Sequence, residues 1–546
     1  MLARGFYLCR HQISRTCRAV PIAWRPKSLV TSSRQYSDML TVDLNDPNVD
    51  TKGFFKFQTG RWLQNDLAER NARTTKFSLP GLLEILKEKV DYLDQSAGPL
   101  AIETLEPLFE GKHNKLYKIT LKDRRIYVLR IPYAVGHKEY REHRLLSEVA
   151  TMDFLQTQCG VKLPTPVSWC KDESNPLKSP YILMDYINGE KLMGQWKPWS
   201  NDLKEKSAVV KPVVDIQDKL LTHEFLAVGS LYFAGDIEGG VKATNDPNHQ
   251  KWVIGPSTEK RFWKGRTAQV GANLRGPWGT HEEYIQATAD IQLTYAKDWL
   301  NQDPSNELLI KALKAAERYS QVVPALFSQN ELSPEVTSNR LHHPDLSPLN
   351  VLCQEDEKFW LIDFENTAIR PFFLHGVPWF VRNRGEKIYK IEEVPNYDTL
   401  SEMDRMLVDH YIRLTQTEFA YDFLFHKARP DLFQAYNPNI KCREEVVERA
   451  MSVDINSGFY NDLDYAIYKL SMRWSFLSLN PERSFPLTYS EEEVETLTSD
   501  TQSWNTLLAQ QPVLESKGFI SAQEFDQFLG EGKLVPKGDG YEFVDF

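Results

Sequence analysis

The stretch from Leu341 to Thr367, LHHPDLSPLNVLCQEDEKFWLIDFENT, constrains the fold of this chain more than any other. Two apolar runs, Val351-Leu352-Cys353 and Phe359 to Phe364, flank the polar QEDEK, which is the pattern of two short strands joined by a turn. Such a hairpin holds Asp345 and Asn350 on the loop before its first strand and Asp363 at the end of its second. His343, Asp345, Asn350, Asp363 and Glu365 are thereby confined to one loop-strand-strand unit.

That grouping suits phosphoryl transfer. The chemistry needs one carboxylate to orient an attacking hydroxyl and accept its proton. It also needs an amide oxygen and a second carboxylate to hold Mg²⁺ on nucleotide phosphates. The bland alternative is a buried hairpin with capping acids.

His343-Pro344-Asp345-Leu346-Ser347-Pro348-Leu349-Asn350 resembles the H-x-D-x-x-x-x-N loop of the aminoglycoside phosphotransferase and choline kinase group. Leu361-Ile362-Asp363-Phe364-Glu365 is similar to the I-D-F/W-E segment of the same group. Within it the chain resembles the fungal altered inheritance of mitochondria phosphotransferase-like proteins, over residues 75 to 500 or so. The resemblance implies an α+β, bilobal protein kinase-like fold: a small β-rich N-lobe with one main helix, a large mainly helical C-lobe, and extensions. It also implies ATP and Mg²⁺ as cofactors and a small-molecule hydroxyl as acceptor. Carried over by position, Asp345 is the catalytic base and His343 braces its loop. Asn350 and Asp363 are metal ligands, and Glu365 is a second-metal or substrate contact.

At 546 residues the chain can bury a large core, as one bilobal domain with extensions or as two to three domains. No run approaches the eighteen apolar residues of a membrane span. Cys9, Cys17, Cys159, Cys170, Cys353 and Cys442 form no C-x-x-C pair, so neither zinc nor a disulfide scaffold is indicated, and Cys353 reads as a small apolar core residue. Residues 1–36 hold Arg4, Arg10, Arg15, Arg18, Arg25, Lys27 and Arg34, with no acid before Asp38, the composition of a mitochondrial transit peptide. Arg34-Gln35-Tyr36-Ser37 resembles a matrix-processing site. Without those cations 58 basic side chains of the original 65 face 75 acidic ones, a net charge of −17. A body that acidic argues against nucleic acid as a partner.

Residues 37–75 read as an extension anchored by Phe54, Phe55, Phe57 and Trp62, or as a plain helix or linker. Residues 76–187 read as the N-lobe. A helical pattern from Leu79 precedes strands over Ala101–Phe109, Lys115–Leu121 and Arg125–Ile131. Glu110 to Asn114 occupies the place of a phosphate-covering loop, with Gly111 its single glycine. Arg130 stands where protein kinases carry a lysine, and its forked donors suit phosphate oxygens. A helix over Lys138–Gln156 places Leu145, Val149 and Met152 on one stripe with Glu148 beside it, the partner expected for Arg130. Pro180 to Gly189 reads as a strand ending in Asn-Gly that runs into the hinge, where the resemblance puts backbone groups of Asp185, Tyr186 and Ile187 against an adenine.

Residues 188–500 read as the helical C-lobe, with helices at Pro212–Phe225, Thr280–Leu300, Ser305–Phe327, Asp398–Phe425, Lys441–Met451, Tyr465–Leu479 and Ser490–Ala509. Thr280 and Glu283 fit a capping box. The insert 229–278, rich in glycine and tryptophan and carrying Lys260, Arg261, Lys264, Arg266 and Arg275, reads either as an acceptor-side lid or docking surface, or as a packed structural insertion. The apolar Arg370 to Leu374 stands where protein kinases have a regulatory loop, which favours a small-molecule acceptor over a protein. Residues 501–546 form a C-terminal extension without legible chemistry.

Three rival readings keep the fold and change the activity. One is a catalytically silent kinase-like protein in nucleotide sensing, partner binding or mitochondrial inheritance. The others are transfer of AMP to a protein and a structural role without nucleotide.

Overall fold

The computed structural model describes residues 53–90, 100–197, 200–263, 274–327, 332–355, 358–382, 390–452, 460–477, 484–510, 518–538 and 540–544. The segment read as a transit peptide, with its processing site, lies outside them, as do Lys264 and Arg266 of the insert. No helix among the described residues is long and apolar enough to cross a membrane.

The chain folds as the expected bilobal, kinase-like α+β structure. Helix α1 (Leu79–Val90) buries Leu82, Ile85, Leu86 and Val90 at helical spacing against one face of an antiparallel sheet. Its strands β1 (Ile102–Glu110), β2 (Asn114–Leu121), β3 (Ile126–Pro132), β4 (Pro166–Cys170) and β5 (Tyr181–Asp185) lie in the order β1-β2-β3-β5-β4. Central β3 explains the placing of Arg130. Tyr127, Leu129 and Ile131 face α1, while Val128 joins the other core cluster with helix α2 (Lys138–Gln158), and Arg130, two residues on, shares that second face.

Below the sheet, helix α3 (Leu203–Leu220) begins nine residues before the expected Pro212. Asp202 caps it by accepting the Lys204 N–H at 2.8 Å, and the buried Pro212 lies inside the helix, so the proline did not mark its start. The helix ends at Leu220 in a turn, and Phe225 instead bridges Asn339, its N–H donating to Asn339 O at 3.0 Å. Helices α4 (His281–Leu300) and α5 (Glu307–Leu326) pack side by side, and the Thr280–Glu283 capping box is present at the start of α4. Strands β6 (Asn339–His342) and β9 (Ala368–Pro371) pair around a hairpin of β7 (Val351–Cys353) and β8 (Phe359–Leu361). Cys353 is half-buried on β7, not a core residue, because it is the last residue of the strand, paired with Phe359 beside the turn, and the described cysteines are free thiols. Helices α6 (Glu402–Ala428), α7 (Pro438–Ser452), α8 (Tyr460–Leu477) and α9 (Glu491–Gln510) complete the lobe.

The insert carries strands Ser230–Phe233, Val241–Lys242 and Trp252–Gly255 and packs on α2, with Trp252 edge-on to Phe154 at 5.0 Å. Residues 53–62 are sealed onto the N-lobe through Phe54, Phe55, Phe57 and Trp62, all buried. A buried ion pair fastens them: Lys115 Nζ meets Glu110 Oε1 at 2.8 Å and donates to the carbonyls of Phe54 and Lys56, while Glu110 Oε2 accepts from Gln58 and Thr59 N–H. Gly60–Trp62 also pairs antiparallel with Phe519–Ser521, so the two ends of the chain share a sheet. Only glycine fits at 60, where a Cβ would stand 2.0 Å from the Phe519 ring.

Glu110→Ala leaves the Lys115 ammonium buried without its counterion, an uncompensated charge that costs roughly 3–5 kcal/mol. Thermal melting should fall accordingly, and limited proteolysis should cut residues 53–62 well before the C-lobe. Equal protection of that segment in wild type and variant would contradict the fastening role.

Candidate functional site

The site is built where α2 and the turn between β1 and β2 meet the two loops around the β7–β8 hairpin. Helix α2 presents Tyr140, Arg144 and Glu148 at successive i, i+4 positions, a polar stripe on one face. Each reaches a different partner. Glu148 holds Arg130 through a two-pronged charged hydrogen bond, with both side chains buried. Arg144 forms a buried ion pair with Glu365, and Tyr140 donates to Asn366 Oδ1 at 2.6 Å. The expected pairing of Arg130 and Glu148 is therefore present.

The catalytic-type loop is tied together just as closely. Asn350 Nδ2 donates to both the carbonyl oxygen and Oδ2 of Asp345, each at 2.9 Å. Asn350 O accepts the Ile362 N–H at 2.9 Å, which sets Asp345, Asn350 and Asp363 side by side. His343 Nδ1 accepts the Asp345 N–H at 3.2 Å, placing the ring proton on Nε2. Burial pushes the His343 imidazolium down to about 4, so the ring is a neutral brace at physiological pH.

Asp363 has φ +64°, in the left-handed region that a non-glycine residue rarely takes. That conformation ends β8 and turns its carboxylate from the strand toward the lobes' junction. Burial first, then the charges of Glu365, Glu148 and Asp345, push its carboxyl up to about 7 against the opposing pull of Arg130. Negative charge at this spot is in excess, the condition that a bound divalent cation relieves. Asp363 and Asn350 fit a metal on that ground.

Glu365 has different neighbours from those expected of a metal or substrate contact. Arg144 takes Oε1 and Asn114 Nδ2 donates to Oε2 at 3.0 Å, so its side chain, 9% exposed, anchors the lobes to each other. Although burial opposes ionisation, Arg144 and His113 outweigh it and lower the Glu365 carboxyl. Gly111 sits in a tight turn closed by its N–H on Asn114 O at 2.9 Å, rather than in an open phosphate-covering loop. At the hinge, Asp185 N–H donates to Thr165 O and Tyr186 N–H to Ile126 O, so both donors are committed inside the protein.

Curated relatives match nearly end to end. Altered inheritance of mitochondria protein 9 of Yarrowia lipolytica is 37% identical over 527 residues, 92% of this chain and 89% of its own. The Kluyveromyces lactis protein of that name is 30% identical, with 91% of each chain covered. This chain belongs to the altered inheritance of mitochondria protein 9 family. No family model matches it. Among solved structures, aminoglycoside phosphotransferase APH(4)-Ia in ternary complex with ADP and hygromycin B aligns over 71% of this chain and 95% of its own, at 14% identity and TM-score 0.36. Plasmodium vivax ethanolamine kinase aligns over 70% and 86%, at 11% identity and TM-score 0.32.

In this member of the altered inheritance of mitochondria protein 9 family, sequence reasoning missed Arg144, Tyr140, Asn114, His113, Lys191 and Trp379. Arg144 and Tyr140 had a signal, the i, i+4 spacing back from Glu148. Asn114 and His113 required the register of β1 with β2. Lys191, which senses the Asp363 charge, and Trp379, whose indole N–H donates to Asp345 Oδ1 at 2.8 Å, come from remote segments and had none.

Asp363 generates a pH prediction for the metal-free protein. Its folded pKa of about 7 lies above the ordinary 3.8, so the native state keeps a proton that the unfolded chain releases. The stability linked to that proton is present below about pH 4 and lost as pH rises to about 7. Asp363→Asn removes the dependence. In EDTA the variant should be more stable than wild type at pH 8, by roughly 4 kcal/mol at ~1.4 kcal/mol per pKa unit, with the gap closing toward pH 4. A gap independent of pH would refute the assignment.

Proposed function

We propose that this protein is a mitochondrial phosphotransferase that moves the γ-phosphoryl group of ATP to a hydroxyl of a small molecule, with Mg²⁺. The observation that carries the reading is the convergence of Asp345, Asn350 and Asp363, joined by the Asn350 hydrogen bonds, beneath the Arg130–Glu148 pair.

In this reading Asp345 aligns the acceptor hydroxyl and receives its proton as the oxygen attacks the γ-phosphorus and ADP departs. Asn350 fixes one carboxylate oxygen, and neutral His343 holds the loop from behind. Asn350 and Asp363 would hold Mg²⁺, which supplies charge neutralisation on the nucleotide phosphates. Glu148 occupies one edge of the Arg130 guanidinium and holds the remaining donors toward those phosphates. With Asp185 and Tyr186 N–H committed, the adenine edge falls to Ile187. The mitochondrial location rests on the basic first 36 residues and on the word mitochondrial in the relatives' names. The matrix is the destination such a segment specifies.

Saturating Mg-ATP should raise the wild-type melting temperature by the equivalent of about 2.7 kcal/mol at one hundred times Kd. Asp363→Ala should abolish that rise. Asp345→Asn should keep it while lowering transfer of γ-label to a mitochondrial metabolite extract by ~10²–10⁴-fold. Unaltered Mg-dependent affinity in Asp363→Ala would refute the metal assignment. Binding without transfer to any acceptor would favour the silent, nucleotide-sensing reading.

A further inference from the structure

We propose that Trp379 is a stand-in for the acceptor: its indole N–H occupies the Asp345 oxygen that an incoming hydroxyl must reach, and it leaves when the acceptor arrives. The inference rests on the phosphotransferase reading above.

The two oxygens of the Asp345 carboxylate are held unequally. Oδ2 accepts from Asn350 Nδ2 at 2.9 Å, and the same amide also binds the Asp345 carbonyl. Asn350 is buried, and its backbone is bonded to Ser347 and Ile362, so this donor is fixed. Oδ1 accepts from Trp379 Nε1 at 2.8 Å. Trp379 is 51% exposed, and the Phe380 ring lies edge-on to it at 6.3 Å. With about half its surface already in solvent, the indole gives up less packing on swinging away than a buried tryptophan would.

A general base must hydrogen-bond the proton it will take, with its oxygen some 2.6–3.2 Å from the donor. The indole nitrogen stands at that distance from Oδ1. An indole N–H donates but does not transfer its proton at neutral pH, so it can hold the acceptor's place without reacting. Water has the same claim on Oδ1 as an alcohol. If water bound there, its oxygen would bond to the γ-phosphorus, the bond from phosphorus to the bridging oxygen of ADP would break, and the water proton would pass to Asp345. Trp379 opposes that step while no acceptor is present. Once displaced, its exposed ring becomes a flat wall beside the reacting hydroxyl. Trp379 is thus a positioning residue that makes cleavage of ATP conditional on the acceptor.

The test uses the full chain without acceptor. Trp379→Phe keeps an aromatic ring and removes the N–H, and Trp379→His keeps a ring N–H. Mg-dependent ATP hydrolysis should rise on the order of tenfold in Trp379→Phe, about the advantage of a hydrogen bond to a charged group, and stay near wild type in Trp379→His. The Mg-ATP thermal shift should be the same in all three proteins. A merely structural role would lower hydrolysis or leave it alone. Hydrolysis in Trp379→Phe at or below wild type, with the thermal shift intact, overturns the stand-in role and leaves the phosphotransferase reading standing. Absence of any Mg-ATP shift in wild type removes that reading and this inference with it.

Discussion

The buried ion pair between Arg144 and Glu365 is the contact on which the rest of the site depends. It joins the long N-lobe helix to the loop after β8, and its neighbours on the same helical stripe, Tyr140 and Glu148, reach Asn366 and Arg130. A pair this buried gains little over a well-packed apolar contact, yet losing one partner leaves a stranded charge worth roughly 3–5 kcal/mol. Its consequence is geometric: α2 can occupy one position relative to the loop that carries Asp363. The insert reinforces that position from outside, where Trp263 stacks on Tyr140 at 5.4 Å and Arg275 lies 4.0 Å over the Trp263 ring.

Charge balance gives the junction its chemical character. Arg130 and Arg144 face Glu148, Glu365, Asp363 and Asp345, and the nearby histidines 113 and 343 are both pushed down to about 4, so neither adds positive charge at neutral pH. Burial is the leading cause for each. The surplus is negative and falls on Asp363, the group with the raised carboxyl. The same crowding makes Glu365 more useful as an anchor than as a ligand, since Arg144 already satisfies it.

The extensions form one structural layer although they lie at opposite ends of the chain. Residues 53–62 cover β1 and β2 with aromatic rings, the Phe519–Ser521 strand covers their edge, and Tyr541 N–H donates to Leu63 O at 2.6 Å. Because Glu110 is both the end of β1 and the fastening for this layer, the layer reaches the turn at Gly111. That turn is short and hydrogen-bonded, and Asn114 at its far side holds Glu365. The path from the chain ends to the candidate site is thus built of direct contacts.

Local pattern made several things legible. The spacing within Leu341–Thr367 placed Asp345, Asn350 and Asp363 together because a hairpin of that length has few geometries. The resemblance singled out Arg130 on its strand, and period 3.6 set Glu148 beside the apolar stripe of the next helix. Helix ends were less legible where a proline and a cap competed, as at Asp202 and Pro212. Beyond local range the sequence was silent. Glu365 found Arg144 and Asn114, the Gly111 turn closed on itself, and Trp379 arrived at Asp345 from a segment with no motif. The two chain ends paired through strands of three residues each, too short for any periodicity. By itself the sequence determined which residues share a strand, a helix face or a hairpin, since those depend on dihedral periods and turn length. Only the tertiary structure decided which charges pair and which donors meet the carboxylates, since burial and charge crowding exist once remote segments have packed.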